Sequence, residues 1–251
     1  MNSFATAFQV YVAGLVFARV GAMVMTMPGI GEQSVPPRVR LAFALLMALL
    51  LGPLVQNTVP PIPNTLGGLV GGVIHEILIG LMIGSVLRLF MSSLTTAGEI
   101  ISMQTTLSFA QSVNPSMQGS STAVASFLSM MGLTLIMATG LHHLFIGAIV
   151  KSYTIFPFTR AVPINDAVTL AVRTVAQSFS LGIQLAAPVI VFSLVFNLAT
   201  GLVGRVMPAF QIFFVTSPLS VILGLSLLAL SLGGIAMVWT DRYRELLAVF
   251  N

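Results

Sequence analysis

The chain has 251 residues, of which 57% are hydrophobic and 6% charged, and this composition excludes an ordinary soluble domain and favours a membrane protein. It contains no cysteine, which excludes disulfides and thiolate metal or redox chemistry. The net charge of +4 comes from basic residues scattered singly along the chain, whereas a nucleic-acid site needs clustered Lys and Arg, so nucleic acid is excluded as a partner.

Six apolar segments follow one another, separated by stretches rich in Pro, Gly or polar residues. A hydrocarbon core of about 30 Å needs about 20 helical residues; five segments have that length, and the second is shorter and carries Pro53. The predicted helices are 4–30, 41–55, 66–90, 122–150, 174–200 and 209–239. The first segment lacks a basic n-region and a cleavage site, so it is interpreted as a helix and not a signal peptide. We therefore predict an all-α, membrane-associated fold and, in the absence of a repeat, one domain over 1–251.

The loops between these segments show no charge bias that would fix an orientation in the membrane. Four basic residues fall on one predicted side and five on the other: Arg38, Arg40, Arg88 and Arg205 against Lys151, Arg160, Arg173, Arg242 and Arg244. Independent spans usually show an excess on the cytoplasmic side. Either some segments do not cross the bilayer, or partner proteins fix the orientation.

Residues 108–127, SFAQSVNPSMQGSSTAVASF, form a polar stretch inside this apolar chain, and no Lys, Arg, Asp or Glu occurs between residues 100 and 150. Polar backbone at apolar depth has to be surrounded by protein or to line a water-filled cavity. The stretch is either an ordinary connection, in which Asn114-Pro115 ends one helix and Ser and Thr cap the next, or a segment packed in a constriction. Phe109, Val113 and Met117 favour the constriction.

The third segment carries a ridge of glycines at multiples of four, a spacing that lets helix backbones approach closely: Gly68, Gly72, Gly80 and Gly84. Glu76 takes the missing place in this series, and Arg88 follows on the same ridge. The ridge is interpreted as tight helix packing, with the alternative that Glu76 faces a water-filled lumen. Arg19 and Glu99 share this ambiguity between contact with a partner helix and ion conduction.

The sequence contains no complete enzyme or metal-binding motif. His75-Glu76 lacks the second histidine of H-E-x-x-H, and the adjacent His142 and His143 point about 100° apart on a helix, which makes a poor metal site. A phosphate-binding P-loop and a G-x-S-x-G elbow are absent. The sequence therefore indicates no catalytic, cofactor-binding or metal-binding residue and no cofactor.

Four blocks of sequence, in this order, resemble the FliR/SctT family of type III export-gate subunits, over about residues 11–230. The blocks are FARVGAMVMTMPGIGEQSVPPRVRLAFALLMALLLGP, AGEIISMQTTLSFAQSVNPSMQG, GLHHLFIGAIVKSY and NLATGLVGRVMPAFQIFFVTSPLSVILGL. The family-motif residues on these blocks are Arg19, Pro28, Pro36, Arg40, Phe109, Asn114, Pro115, His142, His143, Asn197, Arg205 and Pro208. The chain departs from many members of the family at Asn114, at Ala209-Phe210-Gln211 and at Thr216-Ser217.

The resemblance implies a structural and gating role in flagellar protein export, and a non-enzymatic one. Helical hairpins of one such subunit would pack with FliP-like and FliQ-like subunits into a pore for unfolded substrates, together with FlhB-like and FlhA-like components, in the inner membrane and the flagellar basal body. Stretch 108–127 would be a plug in that pore, formed by Phe109, Val113, Asn114, Pro115, Met117 and Gly119.

Three alternatives stay open at this point. The first is the same gate in a virulence injectisome. The second is a small multi-span transporter, which would need an inverted repeat around an ionisable site such as Glu76. The third is an intramembrane hydrolase, for which the sequence offers no positive signal.

Overall fold

The computed structural model describes residues 6–32, 34–108, 121–158, 164–207 and 212–248, and over these ranges it contains α-helices, one short 3-10 helix and no strand. In chain order the α-helices are α1 (Ala7–Thr26), α2 (Pro37–Val55), α3 (Leu66–Gln104), α4 (Ala123–Ala138), α5 (Leu141–Ile155), α6 (Ile164–Val206) and α7 (Ile212–Ala248). The 3-10 helix, Gln56–Thr58, directly follows α2. The predicted all-α class is confirmed.

One predicted segment is wrong, because residues 122–150 form two helices and not one. Helix α4 ends at Ala138, and the N–H of its C-cap residue Thr139 donates to the carbonyl of Leu135 at 2.9 Å. Gly140 then takes a left-handed conformation with φ of 73°. Glycine adopts this conformation without a steric penalty and commonly follows the last residue of a helix. Long apolar stretches lie on both sides of Gly140, which is why hydropathy alone missed the end of the helix.

The bounds of the first two helices differ by a few residues from the predicted 4–30 and 41–55, since α1 ends at Thr26 and α2 begins at Pro37. Three other predicted segments are too short, since the helices continue into polar sequence. Helix α3 runs 14 residues past Phe90, α6 begins at Ile164, and α7 reaches Ala248. The added residues contain no proline and therefore permit a helix. Asp166 in the first turn of α6 also favours a helix start there, because a negative charge interacts favourably with the helix N-terminus.

The chain forms two compact units, each built from several parts of the sequence. Unit 1 comprises Met1–Leu89, Gly140–Thr174 and Arg244–Asn251, and unit 2 comprises Phe90–Thr139 and Val175–Tyr243. Because the chain enters each unit more than once, the units are not consecutive sequence domains. The single domain stays a prediction.

Unit 1 begins with α1, whose first turn is closed by a capping box. The hydroxyl of Thr6 accepts from the backbone N–H of Gln9 at 3.3 Å, and the Gln9 side chain accepts from the N–H of Thr6 at 2.9 Å. This reciprocal pair satisfies two of the donors that a helix start leaves open. Helix α2 begins with Pro37 at its first position, where the missing N–H costs nothing.

Unit 2 is built around the C-terminal part of α3, which α4, α6 and α7 all contact. A Cβ at Gly98 of α3 would overlap Ala125 of α4, and one at Gly182 of α6 would lie 2.9 Å from Thr96 Cβ. On α7, the indole N–H of Trp239 donates to the hydroxyl of α3 Ser93 at 3.1 Å. These close approaches place α3 residues at the centre of the unit.

Five helices of the described ranges are long and apolar enough to cross a membrane, and a sixth span is counted if α4 and α5 form one broken span. The five are Ala7–Thr26, Pro37–Thr58, Leu66–Gln104, Asn165–Val206 and Phe214–Ala248. Helices α3, α6 and α7 exceed this need, since 39, 43 and 37 residues correspond to about 58, 64 and 56 Å of helix. A hydrocarbon core is about 30 Å thick.

Candidate functional site

Arg19 of α1 and Glu76 of α3 form a buried, two-pronged ion pair in unit 1. The distance from Arg19 Nε to Glu76 Oε2 is 2.6 Å and that from Nη2 to Oε1 is 3.1 Å. The side chains are 0% and 1% exposed. A parallel pair of charge-assisted hydrogen bonds is among the strongest polar contacts available to a protein.

The remaining donors of Arg19 are used by the C-terminal end of α5. Nη1 donates to the carbonyl of Ser152 at 2.9 Å, and Nη2 donates to the carbonyl of Phe156 at 2.8 Å. The guanidinium carbon also lies 4.2 Å from the ring centroid of Tyr153 and 5.2 Å from that of Phe158, within the range of a cation–π interaction. Arg19 thus joins α1, α3 and α5. We call the residues in contact with its guanidinium, together with Arg19 itself, the Arg19 cluster: Arg19, Glu76, Ser152, Tyr153, Phe156 and Phe158.

Two glycines of the predicted ridge let α1 approach α3 next to this cluster. A Cβ at Gly80 would overlap the carbonyl of Arg19 and lie 2.7 Å from Ala22 Cβ, and one at Gly84 would overlap the hydroxyl of Thr26. Gly72, in contrast, leaves space, since its nearest neighbours Leu15 and Tyr11 lie at 3.6 Å. Gly68 approaches Pro63 Cβ, at 2.7 Å, within the turn that precedes α3.

The other charged residues singled out from the sequence lie in different surroundings. Glu99 is half-buried in unit 2 and bonded, whereas Arg88 and Arg205 are exposed. No described residue forms a hydrogen bond or ion pair with Arg205. For Arg88 and Arg205, burial is therefore excluded in this structure, and contact with a partner subunit stays a prediction.

The two helix ends that flank residues 109–120 are tied together by Glu99, Ser102 and Thr122. The N–H of Thr122, which is the N-cap of α4, donates to Glu99 Oε1 at 2.9 Å. The Ser102 hydroxyl donates to the Thr122 hydroxyl at 2.9 Å, and the latter accepts from the N–H of Ala125. A carboxylate at this position also interacts favourably with the positive end of the helix.

The other end of this connection leaves α3 through a second set of hydroxyl contacts, to α7. Thr106 has φ of 58°, and its hydroxyl lies 3.1 Å from that of Ser220 and 3.5 Å from that of Ser217. Ser220 also donates to the carbonyl of Thr105 at 3.4 Å. A Cβ at Gly224 would overlap the side chain of Thr105, so α7 presents two hydroxyls to the end of α3 and then a glycine against which Thr105 packs.

A third polar row joins α6 to α3. The amide of Asn197 donates to the hydroxyl of Ser193 at 3.3 Å, which in turn donates to Gln104 Oε1 at 2.6 Å. This row borders a groove of about 350 Å³ whose lining residues are Gln104, Ile190, Ser193, Leu194, Asn197 and Leu198. The family-motif residue Asn197 therefore takes part in the contact between α6 and α3 and borders this groove.

The histidines of α5 contact each other and not a metal cluster. The rings of His142 and His143 lie 4.1 Å apart, and His143 Nδ1 lies 3.2 Å from the carbonyl of Gly140. Within the described ranges no group of three or more His, Cys, Asp or Glu side chains could hold a metal ion.

The N-terminal family-motif residues border α1 and α2. Pro28 is buried directly after α1, and Pro36 is the N-cap residue of α2. Arg40 is half-buried, with Nη1 3.9 Å from the sulfur of Met25.

Seven predicted residues lie outside the described ranges, so their roles stay predictions. They are Phe109, Val113, Asn114, Pro115, Met117 and Gly119 of the central stretch, and Pro208.

Sequence reasoning missed the hydroxyl-bearing residues that join the helices of unit 2. Ser93, Ser102, Thr105, Thr122, Ser193 and Ser220 are all buried. One signal was available, because Ser217, Ser220 and Gly224 recur at the spacing of one helix face. Their partners lie more than 100 residues away, at the end of α3, and no local pattern predicts that pairing.

Comparison with known proteins adds a family to this geometry. The sequence profile of the bacterial export proteins, family 1, matches residues 10–246. The chain is similar to the flagellar biosynthetic protein FliR of Caulobacter vibrioides, with 87% identity over the full length of both chains. It is 33% identical to FliR of Escherichia coli, covering 93% of this chain and 87% of the relative. It is 26% identical to FliR of Bacillus subtilis, covering 95% and 92%.

Proposed function

The chain belongs to the bacterial export proteins, family 1, and on that premise we propose that it is the structural and gating subunit of the flagellar type III export gate. In this proposal it assembles with FliP-like and FliQ-like subunits into the entry pore for unfolded flagellar substrates. FlhB-like and FlhA-like components are further partners, and the complex lies in the inner membrane, in the flagellar basal body. The chain carries out no catalysis and needs no cofactor.

The observation that carries the proposal is the match to flagellar FliR proteins over nearly the whole chain. It favours the flagellar system over the virulence injectisome, because the relatives that the chain resembles are named for flagellar biosynthesis. The membrane-associated character follows from the five helices that are apolar and long enough to span.

Helix length supports assembly with partners. Helices α3, α6 and α7 are nearly twice as long as a bilayer crossing needs, and large apolar side chains are exposed along them, such as Leu198, Leu202 and Leu230 at 64%, 67% and 83%. Apolar helix surface beyond the reach of lipid has to be covered by protein. Partner subunits that cover it would also explain why the loops carry no charge bias.

The contacts of Glu76 do not favour the transporter alternative. Glu76 would serve as an ionisable site only if a carboxylate oxygen were open to a solute, but Oε1 and Oε2 are both bonded to Arg19. The carboxylate is 1% exposed. This arrangement supports a packing role for Glu76.

Native mass spectrometry of the detergent-extracted chain, co-expressed with its co-encoded partners, tests the proposal. We expect one copy of this chain in a complex with several copies of FliP-like and FliQ-like subunits. Recovery of the chain alone, as a stable and well-folded monomer in the presence of those partners, would contradict it.

A further inference from the structure

Thr106 is the one non-glycine residue with positive φ in the part of the chain that the structure describes. A β-branched residue rarely adopts the left-handed conformation, and it persists there only when surrounding contacts hold it. The backbone N–H of Thr106 donates to the carbonyl of Met103 at 3.3 Å, and its side-chain contacts come from α7, through the hydroxyls of Ser217 and Ser220. Helix α3 therefore ends in a strained turn that a different helix stabilises.

The face of α7 that holds this turn is shaped to fit it. Ser220 is 5% exposed, and its hydroxyl lies 3.1 Å from that of Thr106. Its proton points to the carbonyl of Ser217 in its own helix, at 2.9 Å, and is shared with the carbonyl of Thr105 at 3.4 Å. One turn further along, Gly224 leaves the space that the Thr105 side chain fills. We call Ser217, Ser220 and Gly224 the α7 anchor.

The return of the chain is held separately. Thr122 is bonded through its backbone by Glu99 and through its hydroxyl by Ser102, and both partners belong to α3. We call Glu99 and Ser102 the α3 anchor. The two anchors share no residue and act on opposite ends of the connection between Thr106 and Thr122.

We infer that the α7 anchor and the α3 anchor are positioning devices for the central stretch of the proposed gate: the first fixes where the chain leaves α3, and the second fixes where it returns into α4. This inference rests on the proposed function. Beyond that function, we infer that the departing end and the returning end are positioned independently of each other, by residues outside the central stretch. Loss of an anchor should free one end of the connection without dissolving the helices of unit 2.

Single cysteines test the two anchors, because the natural chain contains none. Ser108→Cys reports on the departing end and Ser121→Cys on the returning end, both measured as thiol-labelling rates with a water-soluble maleimide in the purified complex. Ser220→Ala removes neutral hydrogen bonds, and we expect labelling at position 108 to rise about fivefold. Glu99→Ala removes a charged acceptor, and we expect labelling at position 121 to rise at least about tenfold.

The controls use matched positions. Ser226→Ala, on the exposed face of α7, removes a hydroxyl that bonds only the Ile222 carbonyl of its own helix, and should change neither rate. Glu99→Gln keeps an acceptor oxygen and should leave labelling at position 121 close to the rate measured with Glu99 in place. Each anchor variant should leave the rate at the other end within about twofold.

The inference and the proposed function fail in different ways. Labelling rates in Ser220→Ala and Glu99→Ala equal to those in Ser226→Ala overturn the inference, whatever the pore does. A complex lacking residues 112–119 that retains a wild-type ion leak overturns the plug role instead. If that deletion leaks, we expect Glu99→Ala to leak as well, and a sealed Glu99→Ala complex with fast labelling at position 121 would show that positioning does not govern sealing.

Discussion

The two units satisfy the hydrogen bonds of their buried polar side chains in different ways. Unit 1 concentrates them in the Arg19 cluster, where one buried guanidinium bonds Glu76 and two carbonyls of the α5 end. Unit 2 distributes them, since Ser93, Ser102 and Thr105 contact partners one or two at a time along α3. A buried charge that loses its partner costs several kcal/mol, whereas a neutral hydrogen bond contributes about 1 kcal/mol. Unit 1 should therefore fail as a whole when one residue changes, and unit 2 should yield locally.

The largest effect is expected in unit 1. Arg19→Ala leaves the buried Glu76 carboxylate with only its 3.1 Å contact to His75, and Glu76→Ala leaves the buried Arg19 guanidinium without a carboxylate. Either loss should cost about 3–5 kcal/mol, and we expect the chain to be lost from membranes and from the complex. Quantitative blotting of membranes and pull-down of the partners measure this. Arg38→Ala, at an exposed position of α2, is the control and should behave as wild type.

The double variant Arg19→Met with Glu76→Leu sharpens the comparison, because replacing both charges by apolar groups removes the desolvation cost along with the pair. We expect more protein than with either single variant. Recovery no better than the single variants would show that the bonds from Arg19 to α5, and not the pair with Glu76, hold the unit.

The glycine ridge gives the next largest effect. Gly80→Ala places a methyl group against the backbone carbonyl of Arg19, and we expect a loss of about 1–3 kcal/mol. Gly72→Ala meets only 3.6 Å contacts and should be neutral or stabilising by up to about 1 kcal/mol, since alanine favours a helix. Thermal denaturation of the purified complex measures both. Equal melting temperatures for the two variants would show that α1 and α3 are not held at this spacing.

Unit 2 should respond more weakly to the same substitution. Gly224→Ala overlaps the end of the Thr105 side chain and not the backbone, so a small shift accommodates it, and we expect a loss of about 1 kcal/mol. Gly233→Ala, on the same helix with open space around it, is the matched control. A larger loss for Gly224→Ala than for Gly80→Ala would reverse the proposed order of the two units.

Arg205 should have the smallest effect on the chain itself. It is exposed, and no described residue bonds it, so Arg205→Ala should change the stability of the isolated chain by less than about 0.5 kcal/mol. Pull-down of FliP-like and FliQ-like partners should nevertheless fall, and Arg205→Lys should not restore it fully, because the planar guanidinium presents donors that an ammonium lacks. Wild-type motility and partner recovery with Arg205→Ala would remove this residue from the interface.

The sequence predicted the features that depend on local properties and missed those that depend on contacts between distant residues. The all-α class and the apolar helices were predictable because length and hydropathy are local properties. Glu76 was singled out as a carboxylate within an apolar segment, but its partner was not predicted. Arg19 lies 57 residues away, and only the packing of α1 on α3 brings the two together. The extension of α3 beyond Phe90 was missed because its polar residues read as a helix end, whereas partners from α4, α6 and α7 accommodate them.

Deletion of residues 112–119 tests the central claim most directly, namely that the chain is a gate subunit whose central stretch seals a pore and does not hold the helices together. The Arg19 cluster and both anchors lie outside the deleted residues, so we expect the complex to assemble in normal yield. Its single-channel conductance in planar bilayers should show an ion leak that the wild-type complex lacks. A normally assembled deletion complex with wild-type conductance, or a deletion that prevents assembly altogether, would contradict the account.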